Sequence, residues 1–262
     1  MIAVLWVALG LLVIASLRST PYRFILAGLG WLFLSIHWFS KPLDYIGIQD
    51  YFNAFLVIVA AAVCLFIAYI AFQARDDNKD IIIPLSRAAS VGGLIYFLFA
   101  EVDFLNTGII SVVTDQTVWV IERVGFPVDK VAWNQLAVNG LAVEIILACT
   151  AIESIALFTG VISAAEAPSV RKFKAFMISV PVIYILNLQR LLFTASAYGF
   201  AWFGTAEESF HISEHIITKI GSVMALILVS YMVLKTLPEI SDMIDDTWKI
   251  MKVKFNRLVG FN

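Results

Sequence analysis

Seven stretches of mostly apolar residues constrain this chain more than any other feature. They fall at roughly 2–17, 22–39, 53–73, 88–106, 141–163, 173–198 and 213–236. A bilayer hydrocarbon core of roughly 30 Å is crossed by about 20 helical residues. The runs therefore predict an all-α fold, a polytopic transmembrane helix bundle of about seven spans. Residues 1–262 read as a single integral membrane domain, without an internal repeat or low-complexity segment. Composition agrees: 61% of residues are hydrophobic and only 15% charged, whereas a soluble domain is about a quarter charged. The formal net charge of −2 gives no electrostatic footprint for nucleic acid.

The first run differs from a signal peptide, whose positive charge precedes its apolar stretch. Here Arg18 and Arg23 follow it, so it reads as a retained helix. Two segments read as amphipathic rather than spanning. The connection 107–138 interleaves Asp115, Glu122 and Arg123 with apolar residues; connections of this length are usually functional or carry structure of their own. The tail 238–262 sets Ile240, Ile244, Trp248, Met251 and Phe255 at helical spacing among Lys249, Lys252, Lys254 and Arg257. That is the pattern of a helix lying in a membrane interface.

Charge predicts the orientation. With the N-terminus outside, thirteen of the 18 Lys and Arg residues fall on the inner side, among them Arg18, Arg23, Arg75, Lys79, Arg87, Arg171, Lys172 and Lys174. The outer side holds Lys41, Arg123 and Lys130. Cytoplasmic loops carry the excess of Lys and Arg, which places the C-terminus inside.

Ionisable groups inside spans are costly and mark function. Arg190, with Asn187 and Gln189 beside it, sits eight residues before the outer end of the sixth span. At helical rise it lies about 12 Å deep. Cys149 lies about eight residues into the fifth span, and the same rise gives it a matching depth. Thr150, Glu153 and Ser154 extend a polar stripe from it. The chain's other cysteine, Cys64, lacks polar company and reads as a small buried hydrophobe. The two cysteines form no disulfide framework, and no metal-ligand spacing is present. At the outer start of the seventh span, FHISEHIITKIGS supplies His211 and His215, with Lys219 one turn further in. His37, beside Trp38, reads as an interfacial anchor.

Three ordered segments, ACTAIES with Cys149, LNLQRLL with Arg190 and FHISEHII with its histidines, carry a resemblance. Together, over about 141–222, they resemble the archaeosortase/exosortase family of membrane transpeptidases. The resemblance implies a cysteine transpeptidase that needs no cofactor or metal. Cys149 would be the nucleophile and Arg190 the stabiliser of thiolate and oxyanion. His215 would be the general acid and base, with His211 the second choice because it lies further out in the loop. Asn187, Glu153, Ser154 and Lys219 are the candidate substrate-binding groups. The implied partners are the C-terminal sorting signals of exported proteins, each a short motif, a transmembrane helix and a basic tail, with a membrane lipid headgroup as acceptor. The site would face the extracellular side of the cell membrane.

Three other readings compete. A transporter would use Arg190 and Lys219 as pathway residues, yet no repeated halves or paired broken helices are present. An intramembrane hydrolase would cleave without joining. A non-catalytic assembly protein would use Arg190 only to pair with Glu144, Glu153 or Glu101.

Overall fold

The structure, a computed structural model, describes residues 2–17, 22–47, 49–73 and 79–259. Arg18 and Arg75, and the side chains of Lys79, Phe255 and Arg257, lie outside the described residues. The chain forms the expected helical bundle. Eleven α-helices are described: α1 Ile2–Leu17, α2 Arg23–Phe39, α3 Pro42–Gly47, α4 Tyr51–Phe72, α5 Lys79–Glu101, α6 Asp103–Val124, α7 Ile152–Ala164, α8 Ser169–Gly199, α9 Ala206–Phe210, α10 Thr218–Thr236 and α11 Glu239–Val259. Among the described residues, six helical stretches are long and apolar enough to cross a membrane: Arg23–Gly47, Tyr51–Phe72, Ile81–Glu101, Asp103–Val124, Ser169–Gly199 and Ala206–Thr236. The apolar helices α1 and α7 are shorter.

Two compact units are distinguishable. One comprises Met1–Leu94, Gly160–Ala167 and Pro238–Asn262; the other comprises Ile95–Thr159 and Pro168–Leu237.

In the first unit, helices meet through small residues, which let backbones approach closely inside a membrane. A Cβ added at Gly160 of α7 would lie 2.5 Å from the Ala88 carbonyl oxygen of α5. The Ser35 hydroxyl donates to the Ala61 carbonyl at 2.8 Å and the Trp31 indole N–H donates to Ser86 at 3.0 Å. Cys64 is buried, as expected of a small hydrophobe. His37 is only 2% exposed, so it is a core residue and not an interfacial anchor; its ring meets Trp38 edge-on. The tail forms α11 on this unit, with Ile240 buried and Ile244 and Trp248 exposed.

The second unit departs from the sequence reading in three places. Residues 107–138, read as an amphipathic segment rather than a span, begin with most of a helix long and apolar enough to cross a membrane. Val102 adopts extended backbone, which ends α5 and lets α6 begin at once at Asp103. A three-stranded antiparallel sheet follows, β1 Val128–Ala132, β2 Gln135–Val138 and β3 Leu141–Glu144, in the order β1-β2-β3. Asn139 and Gly140 join β2 to β3, both at positive φ (52° and 80°). That is the backbone a tight two-residue hairpin requires. The run 141–163 is therefore not one helix. Its first residues, LAVE, are β3, and the chain then makes a 3₁₀ turn, Leu147–Thr150, before α7. Third, the last apolar run opens with a π-helical segment, His211–Ile217, that continues into α10.

A hydrophobic cluster holds this unit together. It joins Ile110, Val113 and Ile121 of α6 to Leu136 and Val138 of β2 and Leu191 and Ala195 of α8. The hairpin tip sits on the end of α8: Asn139 donates to the Gly199 carbonyl at 3.1 Å, and a Cβ at Gly199 would lie 2.5 Å from Val138.

Candidate active site

Cys149 occupies the 3₁₀ turn between β3 and α7. The turn is closed locally. The Cys149 amide donates to the Ile146 carbonyl at 2.8 Å and the Thr150 hydroxyl donates to the Leu147 carbonyl at 2.7 Å. Ala151 then takes the left-handed conformation (φ 62°), and α7 starts at the next residue. A non-glycine residue there is uncommon and costs roughly 1–2 kcal/mol. Such strain persists only where surrounding structure imposes it, and it gathers at functional sites. The sequence argument for Cys149's depth assumed unbroken helical rise. Strand and 3₁₀ turn replace that helix, so the arithmetic does not apply to it. Instead Cys149 stands in the turn that leads into α7.

Helix α8 supplies the next two groups. The Asn187 side-chain amide donates to the Cys149 carbonyl at 2.7 Å. Arg190, one turn further along α8, shares that face. Its Nη1 meets Glu214 Oε1 at 3.4 Å, and the other carboxylate oxygen of Glu214 accepts from the Thr194 hydroxyl at 3.1 Å. Arg190 Nε is buried and has no hydrogen-bond partner among the described residues. The partner of Arg190 is thus Glu214, and not Glu144, Glu153 or Glu101.

Glu214 belongs to the π-helical segment. There the Thr218 amide donates to the Ser213 carbonyl, five residues back. In an α-helix it would donate to the Glu214 carbonyl. That orphaned carbonyl accepts instead from the Thr218 hydroxyl at 2.8 Å. A buried carbonyl needs such a partner, and π turns recur at functional sites. The same segment carries both histidines, exposed, with ring centroids 5.2 Å apart. The His215 ring also meets Phe210, which in turn meets Tyr198 of α8.

A cavity of about 430 Å³ adjoins these groups. Its polar lining includes Glu153, Ser154, Asn187, Gln189, Arg190 and Thr218, and its remaining walls are largely apolar side chains of α8 and α10. Ala148 and Ala151 line it as well, on either side of Cys149. The Cys149 side chain itself is half-buried and packs on the α6–β2–α8 cluster. His211, His215 and Lys219 are exposed and do not line the cavity. Of the expected residues, then, Cys149 is tied to Asn187, Arg190 is tied to the histidine-bearing segment through Glu214, and Glu153 and Ser154 face the same cavity as Arg190. Lys219 stands apart.

Sequence reasoning missed Glu214 and Thr194. The sequence offers only an acidic residue between two histidines; the contact with Thr194 comes from the way the π segment meets α8.

Residues 1–233 match the transmembrane exosortase family. The chain belongs to that family. Among exosortase-family relatives, it is 29% identical to archaeosortase A of Haloferax volcanii, over 92% of this chain and 90% of the relative. It is 24% identical to archaeosortase A of Natronomonas pharaonis, over 88% of this chain and 81% of that protein. The family match spans α1 to α10 and includes every candidate site residue of this exosortase-family chain. No solved structure matches it.

Proposed function

We propose that this chain is a membrane sorting transpeptidase that cleaves C-terminal sorting signals of exported proteins and joins the new C-terminus to a membrane lipid headgroup. It acts at the extracellular side of the cell membrane. The observation that carries the reading is the arrangement around Cys149: its turn is fixed to Asn187 of α8, Arg190 follows one turn on, and Glu214 links Arg190 to the segment bearing His211 and His215.

The chemistry follows from these groups. A thiol of ordinary pKa, about 8.5, is mostly protonated at neutral pH, and the thiolate is the nucleophile. His215 takes the proton of the Cys149 thiol, leaving the thiolate. Its sulfur attacks the scissile carbonyl carbon, and the tetrahedral oxyanion is stabilised by Arg190. Removing one such donor typically costs about 10²–10³ in rate. The carbon–nitrogen bond then breaks, and His215 protonates the departing amine. A thioester on Cys149 remains. His215, now neutral, takes a proton from the acceptor hydroxyl, whose oxygen attacks the thioester carbonyl and releases the thiol. Glu153, Ser154 and Asn187 border the cavity that receives the segment flanking the scissile bond.

The test uses proteoliposomes with a purified substrate bearing its C-terminal signal. Cys149→Ala and Cys149→Ser are expected to abolish processing, and unchanged processing removes Cys149 as nucleophile. Mass spectrometry of the product separates joining from hydrolysis: a lipid adduct supports the transpeptidase, and a free carboxylate as the sole product converts it to a protease. His211→Ala and His215→Ala, compared separately, assign the histidine.

A further inference from the structure

We infer that Glu214 is the positioning residue of this site: it aims Arg190 and locks the histidine-bearing segment to α8. The inference rests on the function proposed above.

Four observations converge on this one side chain. Both carboxylate oxygens are used, one by Arg190 at 3.4 Å and one by the Thr194 hydroxyl at 3.1 Å. Thr194 is one turn beyond Arg190 on α8, so the carboxylate is held by two points of one helix. Its backbone is held as well. The π turn frees the Glu214 carbonyl from the helical ladder, and the Thr218 hydroxyl takes it up at 2.8 Å. Finally, Glu153 lines the same cavity as Arg190 and is not paired with it.

That choice has a chemical consequence. A guanidinium presents its donors in a fixed planar fork. A carboxylate anchored through its other oxygen to Thr194 fixes which N–H groups are spent and which remain. Nη1 is committed to Glu214, whereas Nε is left without a partner among the described residues. Pairing with Glu153 instead would draw the cation toward the start of α7 and spend its donors there. The same carboxylate sets the register of the π segment against α8, and with it the placement of His211 and His215 on the outer side of that segment. Glu214 touches no reacting atom in this account; it acts through Arg190 and the segment.

The prediction is a defect in rate rather than in substrate affinity, and one that depends on Arg190. In proteoliposomes, Glu214→Gln is expected to lower kcat at least about tenfold with KM within about threefold, because small misplacement of catalytic groups costs rate steeply. Glu214→Asp, which keeps the charge on a shorter stem, is expected to recover part of the loss. In an Arg190→Lys background, which keeps a cation without the fork, Glu214→Gln is expected to add less than about twofold, since groups acting as one unit are non-additive. Thr194→Val leaves the Arg190 contact intact and supplies a second variant if Glu214→Gln does not fold; it is expected to lower kcat in the same direction. An unchanged kcat in Glu214→Gln, or losses that multiply fully with Arg190→Lys, overturns the inference. Wild-type-like processing by Cys149→Ala overturns the underlying function instead, so the two failures are distinct.

Discussion

Replacing Asn187 by Leu removes the one side-chain hydrogen bond to the backbone of Cys149 among the described residues and keeps the side chain's approximate size. The bond is short, 2.7 Å from Asn187 Nδ2 to the Cys149 carbonyl, and partly buried. Such a bond contributes roughly 0.5–1.5 kcal/mol net, and an orphaned buried carbonyl costs roughly 1–3 kcal/mol. Against it stands the left-handed Ala151, two residues away, at roughly 1–2 kcal/mol. The two magnitudes are comparable, so the tether is what keeps the turn from relaxing. Losing 1–2 kcal/mol lowers the ratio of held to relaxed turn by roughly 5- to 30-fold. The expected result is a fall in kcat of about tenfold, with the melting temperature in detergent lowered as a loss of roughly 1–3 kcal/mol requires. Adding Ala151→Gly removes the conformational cost, so the double variant is expected to regain several-fold of the lost rate. The assay is single-turnover processing in proteoliposomes, run beside a thermal melt. A kcat equal to that of the parent chain in Asn187→Leu refutes the reasoning, as does a double variant slower than the single one.

Further expectations concern folding and packing. Gly160→Val drives a side chain into the Ala88 carbonyl, which a Cβ alone would approach to 2.5 Å; overpacking of this kind costs roughly 1–3 kcal/mol, read as a lower melting temperature. Thr218→Val orphans the Glu214 carbonyl, and a cost of roughly 1–3 kcal/mol is expected in the same melt, with processing also slowed. Lys130→Ala breaks the exposed pair with Asp115 between β1 and α6 and is expected to change stability by less than about 1 kcal/mol; a larger loss in the melt would show that the sheet depends on it.

The helical membrane fold was legible because apolar runs of span length have few alternatives in lipid. The same logic failed at 141–150, where apolarity was read as helix. Four residues, LAVE, alternate toward and away from the α6–α8 cluster, and the Asn-Gly pair before them is a hairpin turn. The turn signal was in the sequence but was outweighed by the length of the apolar run. In 107–138, scattered charges made α6 read as an amphipathic segment when it is long and apolar enough to cross a membrane; its buried stripe of Ile110, Val113, Thr114, Thr117 and Ile121 follows helical spacing. At the site, residue types were legible and contacts were not. Cys149, Arg190 and the histidines stand out because polar groups in apolar runs are conspicuous. Glu214 did not, because its role is set by α8 meeting a π segment, and nothing in FHISEHII announces a π turn. Lys219 was conspicuous for the same reason as Arg190, yet it is exposed and off the cavity.

The most direct measurement is interception of the acyl-enzyme. Proteoliposomes are mixed with substrate in the absence of acceptor lipid, quenched in acid, and digested for mass spectrometry. The expected result is a peptide containing Cys149 that carries the mass of the substrate segment ending at the cleavage site, released by hydroxylamine as a thioester should be. It should be absent from Cys149→Ser and reduced in Arg190→Ala. Cleaved substrate accumulating with no adduct at Cys149, or the same adduct formed by Cys149→Ser, contradicts the account.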